Sequence, residues 1–274
     1  MSVASVPVEL IDIGANLAHD SFDADRDAVL ARARDAGVAQ IVVTGSSLDS
    51  TRRAIELARE HPRTLHATAG LHPHHASEWN ADVAARLRDL AAAPQIVSLG
   101  ECGLDYNRNY STPIDQRRAF AAQLQMAVEL RKPLFLHQRD AHGDFLAMLR
   151  EHRPQLGDVV VHCFTDTRDA LRDYLALGCH IGITGWICDE RRGRHLIEAV
   201  VDIGDDRLML ETDAPYLLPR TAPKELTGAN RRNEPALLRF VLDAVAQARG
   251  QTAEALARLS TANARRFFAL AAPA

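Results

Sequence analysis

The sequence is short of three things, and each shortage excludes something. Aromatic residues make up only 5%, there are four cysteines, and positive charge is not in excess, the formal net charge being −4. Cys102, Cys163, Cys179 and Cys188 form no CxxC pair, so nothing points to a disulfide framework, and a reducing compartment is the simplest reading. A negative chain has no global positive field, so any nucleic-acid contact must come from a local patch. No apolar run reaches the roughly 18 residues of a membrane span. Residues 1–7 lack a positive n-region, and Glu9 and Asp12 interrupt the first apolar run. The expectation is therefore no signal peptide, no membrane association and a cytoplasmic location. No GxGxxG and no P-loop follows that run, which removes the usual phosphate-cradling signatures of open nucleotide-binding sheets. Linkers, repeats and low-complexity tracts are also missing, so residues 1–274 read as a single domain.

What is present is a regular alternation. Hydrophobic residues make up 47% and charged residues 25% of 274 positions, a normal globular balance. Short runs rich in Val, Ile and Leu fall at 9–13, 40–44, 65–69, 95–99, 133–136, 158–161, 179–183 and 207–210. They are continuously apolar, as strands covered on both faces are. Amphipathic segments with helical spacing lie between them, at 23–36, 51–60, 81–92, 114–131, 141–150, 168–177 and 192–201, and two more close the chain at 234–248 and 253–268. Eight strands alternating with helices predict a parallel sheet. The strand count favours a closed (β/α)8 TIM barrel over a doubly wound open sheet. The longest loop is expected at 215–228, after the last strand.

Barrel sites are built at the C-terminal ends of strands and in the loops beyond. Polar residues collect there: Asp12, Gly14 and Asn16 after strand one, His72, His74 and His75 after strand three, and Glu101 at the end of strand four. His137 ends strand five, His162 follows strand six and Asp213 follows strand eight. Two imidazoles and two carboxylates converging on one mouth suit a divalent ion. Any one of them alone is as readily a helix cap or a satisfied core group; four at four strand ends point to a site. Pro73 between two imidazoles could aim His72 and His74 at the mouth. Cys102 and Cys163 flank proposed ligands, and strand alternation turns their side chains away, into the core.

The motifs resemble the TatD family of metal-dependent deoxyribonucleases, a branch of the amidohydrolase-like barrels. The stretches that carry the resemblance are Asp12-Ile13-Gly14-Ala15-Asn16-Leu17, Gly70-Leu71-His72-Pro73-His74, Gly100-Glu101-Cys102-Gly103-Leu104-Asp105, Leu136-His137 with Arg139-Asp140, Val161-His162-Cys163-Phe164-Thr165 and Glu211-Thr212-Asp213-Ala214-Pro215-Tyr216. The resemblance implies a metal-dependent 3′→5′ exonuclease that hydrolyses phosphodiesters of single-stranded DNA and RNA, with metal-bound water as nucleophile. It implies Glu101, His137, His162 and Asp213 as metal ligands and His72 and His74 near the reacting phosphate. The implied cofactor is a divalent ion, magnesium as the usual activator, with zinc, manganese or nickel able to occupy the site. Asp213, Glu101 and His72 are the expected catalytic set. Many members of the family carry His-x-His at the end of strand one, where this chain has Gly14 and Asn16. One tighter site and a weaker second site, reached by Asn16, are therefore expected.

Phosphate and base contacts are expected from loop residues past the strand ends: Arg139, Arg191, Arg192, Arg220, Arg231 and Arg232, with Tyr106, Tyr110, Phe164, Trp186 and Tyr216 for stacking. With a negative chain, only a few phosphate contacts and a modest salt dependence are expected. Two other functions stay open at this level: another hydrolase on the same barrel, such as an amidohydrolase or aminoacyl-tRNA deacylase, and a metal-binding protein without turnover. No exposed apolar helix face stands out, so the chain is expected to be a monomer.

Overall fold

A computed structural model of the chain describes residues 9–227 and 231–272; Gly228 of the loop after the last strand, and residues 1–7, lie outside them. Eight parallel strands follow one another in sheet order: β1 (Leu10–Ala15), β2 (Val38–Val43), β3 (Leu65–Ala69), β4 (Ile96–Asp105), β5 (Leu134–Arg139), β6 (Val159–Val161), β7 (His180–Ile183) and β8 (Leu208–Leu210). Each neighbouring pair is joined by a crossover, and the principal crossover helices are α1 (Arg26–Asp35), α2 (Leu48–Glu60), α3 (Ala81–Ala91), α4 (Pro113–Leu130), α5 (His142–His152), α6 (Arg168–Ala176) and α7 (Arg194–Ala199). A four-residue α8 (Lys224–Thr227) interrupts the loop after β8, and α9 (Leu238–Arg249) and α10 (Ala253–Phe268) complete the ring.

Sequence chemistry fixes where these helices start. Ser47 and Ser50 form a reciprocal capping box on α2, Thr112 caps α4 ahead of Pro113, and Thr252 caps α10. A strand buried on both faces has no polar alternation to display, and β1, β6, β7 and β8 are buried at every position. The outer layer between sheet and helices holds most of the core. A second cluster joins Ile11, Ile13, Val42, Phe135, Val160 and Met209, which come from five different strands, so it fills the barrel interior. Phe267 and Phe268 of α10 belong to the same cluster and close the barrel at its N-terminal end. Beside them, Asn263 donates to the carbonyls of Asp205 and Leu208, and Thr261 to that of Glu9.

The seam between β1 and β8 decides closure. Asp213 N donates to Gly14 O at 2.8 Å, and Asn16 N to Ala214 O at 2.6 Å. The buried Asp12 carboxylate accepts from Thr212 N at 2.9 Å and from Thr212 Oγ1 at 2.5 Å. These bonds bridge the two ends of the sheet, so the strands form a nearly closed barrel, as the strand count anticipates, with its mouth at the C-terminal tips of the strands. Strand four runs six residues past its expected end at Leu99, to Asp105. Glycine permits this bend: Gly100 has φ +122°, and a Cβ there would lie 2.0 Å from Phe135 O.

Candidate metal and phosphodiester site

The C-terminal mouth opens into a cavity of about 630 Å³. Asn16, His72, His74, Glu101, Asp105, His137 and Asp213 line it together with Arg108, Arg139, Arg192, Tyr110, Trp186 and Tyr216. At its floor one oxygen, Glu101 Oε1, is approached by three imidazole nitrogens: His72 Nε2 at 3.3 Å, His137 Nδ1 at 3.1 Å and His162 Nε2 at 2.8 Å. Burial opposes the charge on Glu101, but His72 and His162 overcome it and hold the carboxyl well below the usual range. His162 is raised well above an ordinary imidazole: burial works against its charge, and the carboxylates of Glu101 and Glu211 outweigh burial.

His72 has a fixed tautomer. Its Nδ1 accepts the backbone N–H of His74 at 3.1 Å, and burial pushes its pKa down to about 4. A neutral ring that accepts at Nδ1 carries its proton on Nε2. His72 is therefore a hydrogen-bond donor aimed at the site, even though its ring nitrogen lies within 4.8 Å of the other ligand-type atoms of Glu101 and His137. His74 Nε2 is turned to Asp105 Oδ2 at 2.9 Å.

The donor set fits a divalent cation. His137 Nε2 is buried and makes no close hydrogen bond, facing only Asp105 Oδ2 at 3.5 Å, so a ring nitrogen and a carboxylate oxygen are available together inside the cluster. Asp213 is pushed up to about 7 by burial, eased by His162 and aggravated by Glu101 and Glu211. Carboxylates crowded this closely need a positive charge among them.

A family model described as "TatD related DNase" matches residues 11–269. This chain belongs to the TatD family of DNases. It is 52% identical over 262 residues to the 3′-5′ ssDNA/RNA exonuclease TatD of Erwinia tasmaniensis, covering 95% of this chain and all of that protein. The protein of the same name from Musicola paradisiaca is 50% identical, with 95% and 98% covered. Among solved structures, a TatD homologue from Escherichia coli superposes with a TM-score of 0.87 at 25% identity, covering 97% of this chain and all of that one. A TatD family hydrolase from Entamoeba histolytica gives 0.85 at 24% identity, with 96% and 99% covered.

Within this TatD barrel, Gly14 is closely packed. A Cβ on Gly14 would lie 2.6 Å from Glu211 Oε2 and 2.9 Å from Phe135 Cζ, and one on Gly182 would lie 2.5 Å from Glu211 Oε1. The fully buried Glu211 packs against both glycines. It accepts from Cys163 N and lies 3.4 Å from His162 Nδ1, leaving His162 Nε2 to point at Glu101. Asn16 spends its amide on Asp213, donating Nδ2 to Oδ1 at 3.0 Å. Gly14→Ala is expected to lower stability by about 1–3 kcal/mol through overpacking against Glu211. Urea denaturation checks it, and an unchanged midpoint would count against a packed pocket.

The loop residues separate. Arg139 and Arg192 reach the cavity, with their guanidinium carbons 5.1 and 4.6 Å from the centre of the Trp186 ring. Arg191 is exposed outside the cavity lining. Arg232 turns away to Asp25 at 2.7 Å and stacks on Phe22. Arg220 is held by Glu190 at 3.4 Å. Tyr106 gives its hydroxyl to Asp144 at 2.7 Å and receives Arg117, so it packs beside the mouth. Cys102 is buried as expected, but Cys163 is not turned away: it lines the cavity, because a left-handed φ of +46° breaks the strand alternation there. Sequence reasoning missed Glu211, Asp105 and Arg108 as site residues. Glu211 and Asp105 lie inside the motifs quoted for the family, which was the available signal.

Proposed function

We propose that this protein is a metal-dependent 3′→5′ exonuclease acting on single-stranded DNA and RNA. The observation that carries the reading is the floor of the cavity, where Glu101 gathers three imidazoles beside Asp213 and under a wall of guanidinium groups. Glu101, His137, His162 and Asp213 would hold the ion, magnesium being the physiological choice. When bound, a divalent ion supplies Lewis acidity: it neutralises charge on phosphoryl oxygens and makes water more acidic. The chain's own residues do the rest. His72 donates Nε2–H toward the phosphate, and Asp105 orients His74 beside it. Asp213 accepts the proton of the attacking water, held in place by Asn16. Glu211 keeps the His162 ring in register. Arg139 and Arg192 clamp phosphate oxygens, with Trp186 stiffening both.

All these residues come from one chain, so the expected monomer has a complete site. The described helices include none long and apolar enough to cross a membrane. With Gly14 and Asn16 withdrawn from ligation, calorimetric titration of the metal-stripped protein is expected to show one tight site for a divalent ion. Two equal tight sites would contradict the assignment of Asn16 to Asp213.

The deciding experiment strips the protein with chelator, restores magnesium and supplies single-stranded DNA labelled at its 5′ end, with His162→Ala in parallel. Expected is a ladder that shortens from the 3′ end, needs metal and is lost in the variant. No cleavage while metal still binds would move the protein to another ester or amide hydrolase on this barrel.

A further inference from the structure

Five aromatic side chains follow strand ends, and the structure leaves only two of them free. Phe164 is buried, Tyr106 is tied to Asp144 and Arg117, and the Trp186 ring carries two guanidinium groups. Tyr110 is 71% exposed and Tyr216 51%, and both line the mouth of the catalytic cavity. Each keeps one edge-type ring contact, Tyr110 with His74 and Tyr216 with His19 at 5.9 Å between ring centres, and the rest of each ring is open to solvent.

Neither ring hangs on a loose loop. The segment between β4 and α4 that carries Tyr110 is pinned at both ends. Asp105 Oδ1 accepts Asn107 N and Arg108 N, each at 3.0 Å, and Ser111 Oγ donates to His74 O at 3.0 Å. Asn109 takes a left-handed φ of +50° and donates Nδ2 to Tyr106 O. On the other side, Tyr216 N donates to Asp213 O at 3.0 Å, and Asn233 Nδ2 donates to Tyr216 O at 2.7 Å. The loops after β4 and β8 face each other across an eight-stranded ring in sequential order. Tyr110 leads inward through edge contacts, ring centre to ring centre, of 4.8 Å to His74 and 4.1 Å from His74 to His72. Arg108, on the same segment as Tyr110, lines the cavity and has no ion-pair partner among the described residues.

We infer that Tyr110 and Tyr216 line a slot at the mouth that takes the unpaired end of a strand, each ring offering a surface on which a base stacks, with Arg108 on a phosphate beside it. The inference rests on the nuclease reading above and deepens it, by naming what selects single strands. A base in a duplex has a neighbour on its stacking face and a partner on its edge. An exposed aromatic ring at the mouth can stack only on a base freed from both. Stacking on a π-face is indifferent to base identity, so the slot selects strandedness and not sequence.

The test uses Tyr110→Leu and Tyr216→Leu, with Tyr→Phe at each position as the conservative control. On single-stranded DNA each leucine variant is expected to raise KM roughly tenfold with kcat nearly unchanged, and each phenylalanine variant to restore it. An oligonucleotide with an abasic 3′ terminus should show no difference between wild type and leucine variants. A terminal 2-aminopurine should be quenched on binding to Asp213→Asn protein with magnesium, and not when the leucines are added. Wild type that degrades single strands while the leucine variants match it in KM, or a penalty that persists on the abasic end, overturns the slot and leaves the nuclease standing. Wild type without nuclease activity overturns the nuclease reading, and the slot with it.

Discussion

Glu101→Gln is expected to lower kcat/KM by about 10³-fold or more, close to 4 kcal/mol of transition-state stabilisation. Glutamine matches the shape of glutamate and removes only its charge. That charge is what three imidazoles converge on, at 3.3, 3.1 and 2.8 Å. Without it, nothing holds the raised pKa of His162 except Glu211, and the donor set loses its strongest anionic ligand. The measurement is single-turnover hydrolysis across a magnesium titration, with circular dichroism to confirm the fold. Two signatures are expected together: a lower rate at saturating metal and a weaker apparent metal affinity. A variant that keeps a tenth of wild-type kcat/KM at ordinary magnesium would remove Glu101 from the centre of the site.

The second large effect belongs to Asp213. Asp213→Asn is expected to reduce kcat by about 10²–10⁴-fold, the usual contribution of a positioned general base, while preserving the fold. Asparagine can still accept Asn16 Nδ2 and can still donate its backbone N–H to Gly14 O, so the seam survives. The pH profile distinguishes a base from a strut. Burial raises the Asp213 pKa to about 7, so in the metal-free protein the carboxylate is protonated below that pH and ionised above it. A base works only when ionised, so activity should fall as pH drops through its pKa, tenfold per unit on the acid limb. Positive charge among the ligands favours the ionised form, so raising magnesium should move the limb toward acid. The asparagine variant should lack the limb. An identical acid limb in wild type and variant would assign that proton to another group.

Much of this was legible before any coordinates. The eight apolar runs predict the eight strands, seven of them within a few residues and β4 six residues short at its end, because strands covered on both faces must be apolar throughout. Strand-end polarity brings Glu101, His137, His162 and Asp213 to one mouth, because strand order alone determines which tips converge. What failed to read was side-chain direction. Arg191 and Arg192 are adjacent in sequence, yet only Arg192 lies over Trp186 in the cavity. Arg232 carries the same charge as Arg139 and spends it on Asp25. Alternation failed at Cys163, where one left-handed residue rotates the chain after β6. The tight packing at Gly14 was illegible because it is a matter of volume: three residues far apart in the chain, Gly14, Phe135 and Glu211, meet in one space.

The bond from Asp12 to Thr212 spans 200 positions of the chain. During synthesis the first strand therefore waits for nearly the whole polypeptide before it has a neighbour on its open side. Asp213, which the seam places, is also among the last of the site residues to leave the ribosome. The candidate site is thus completed only after most of these residues have been made. A nascent chain cut short before β8 lacks Asp213, Glu211 and the bonds of the seam, and with them part of the candidate site.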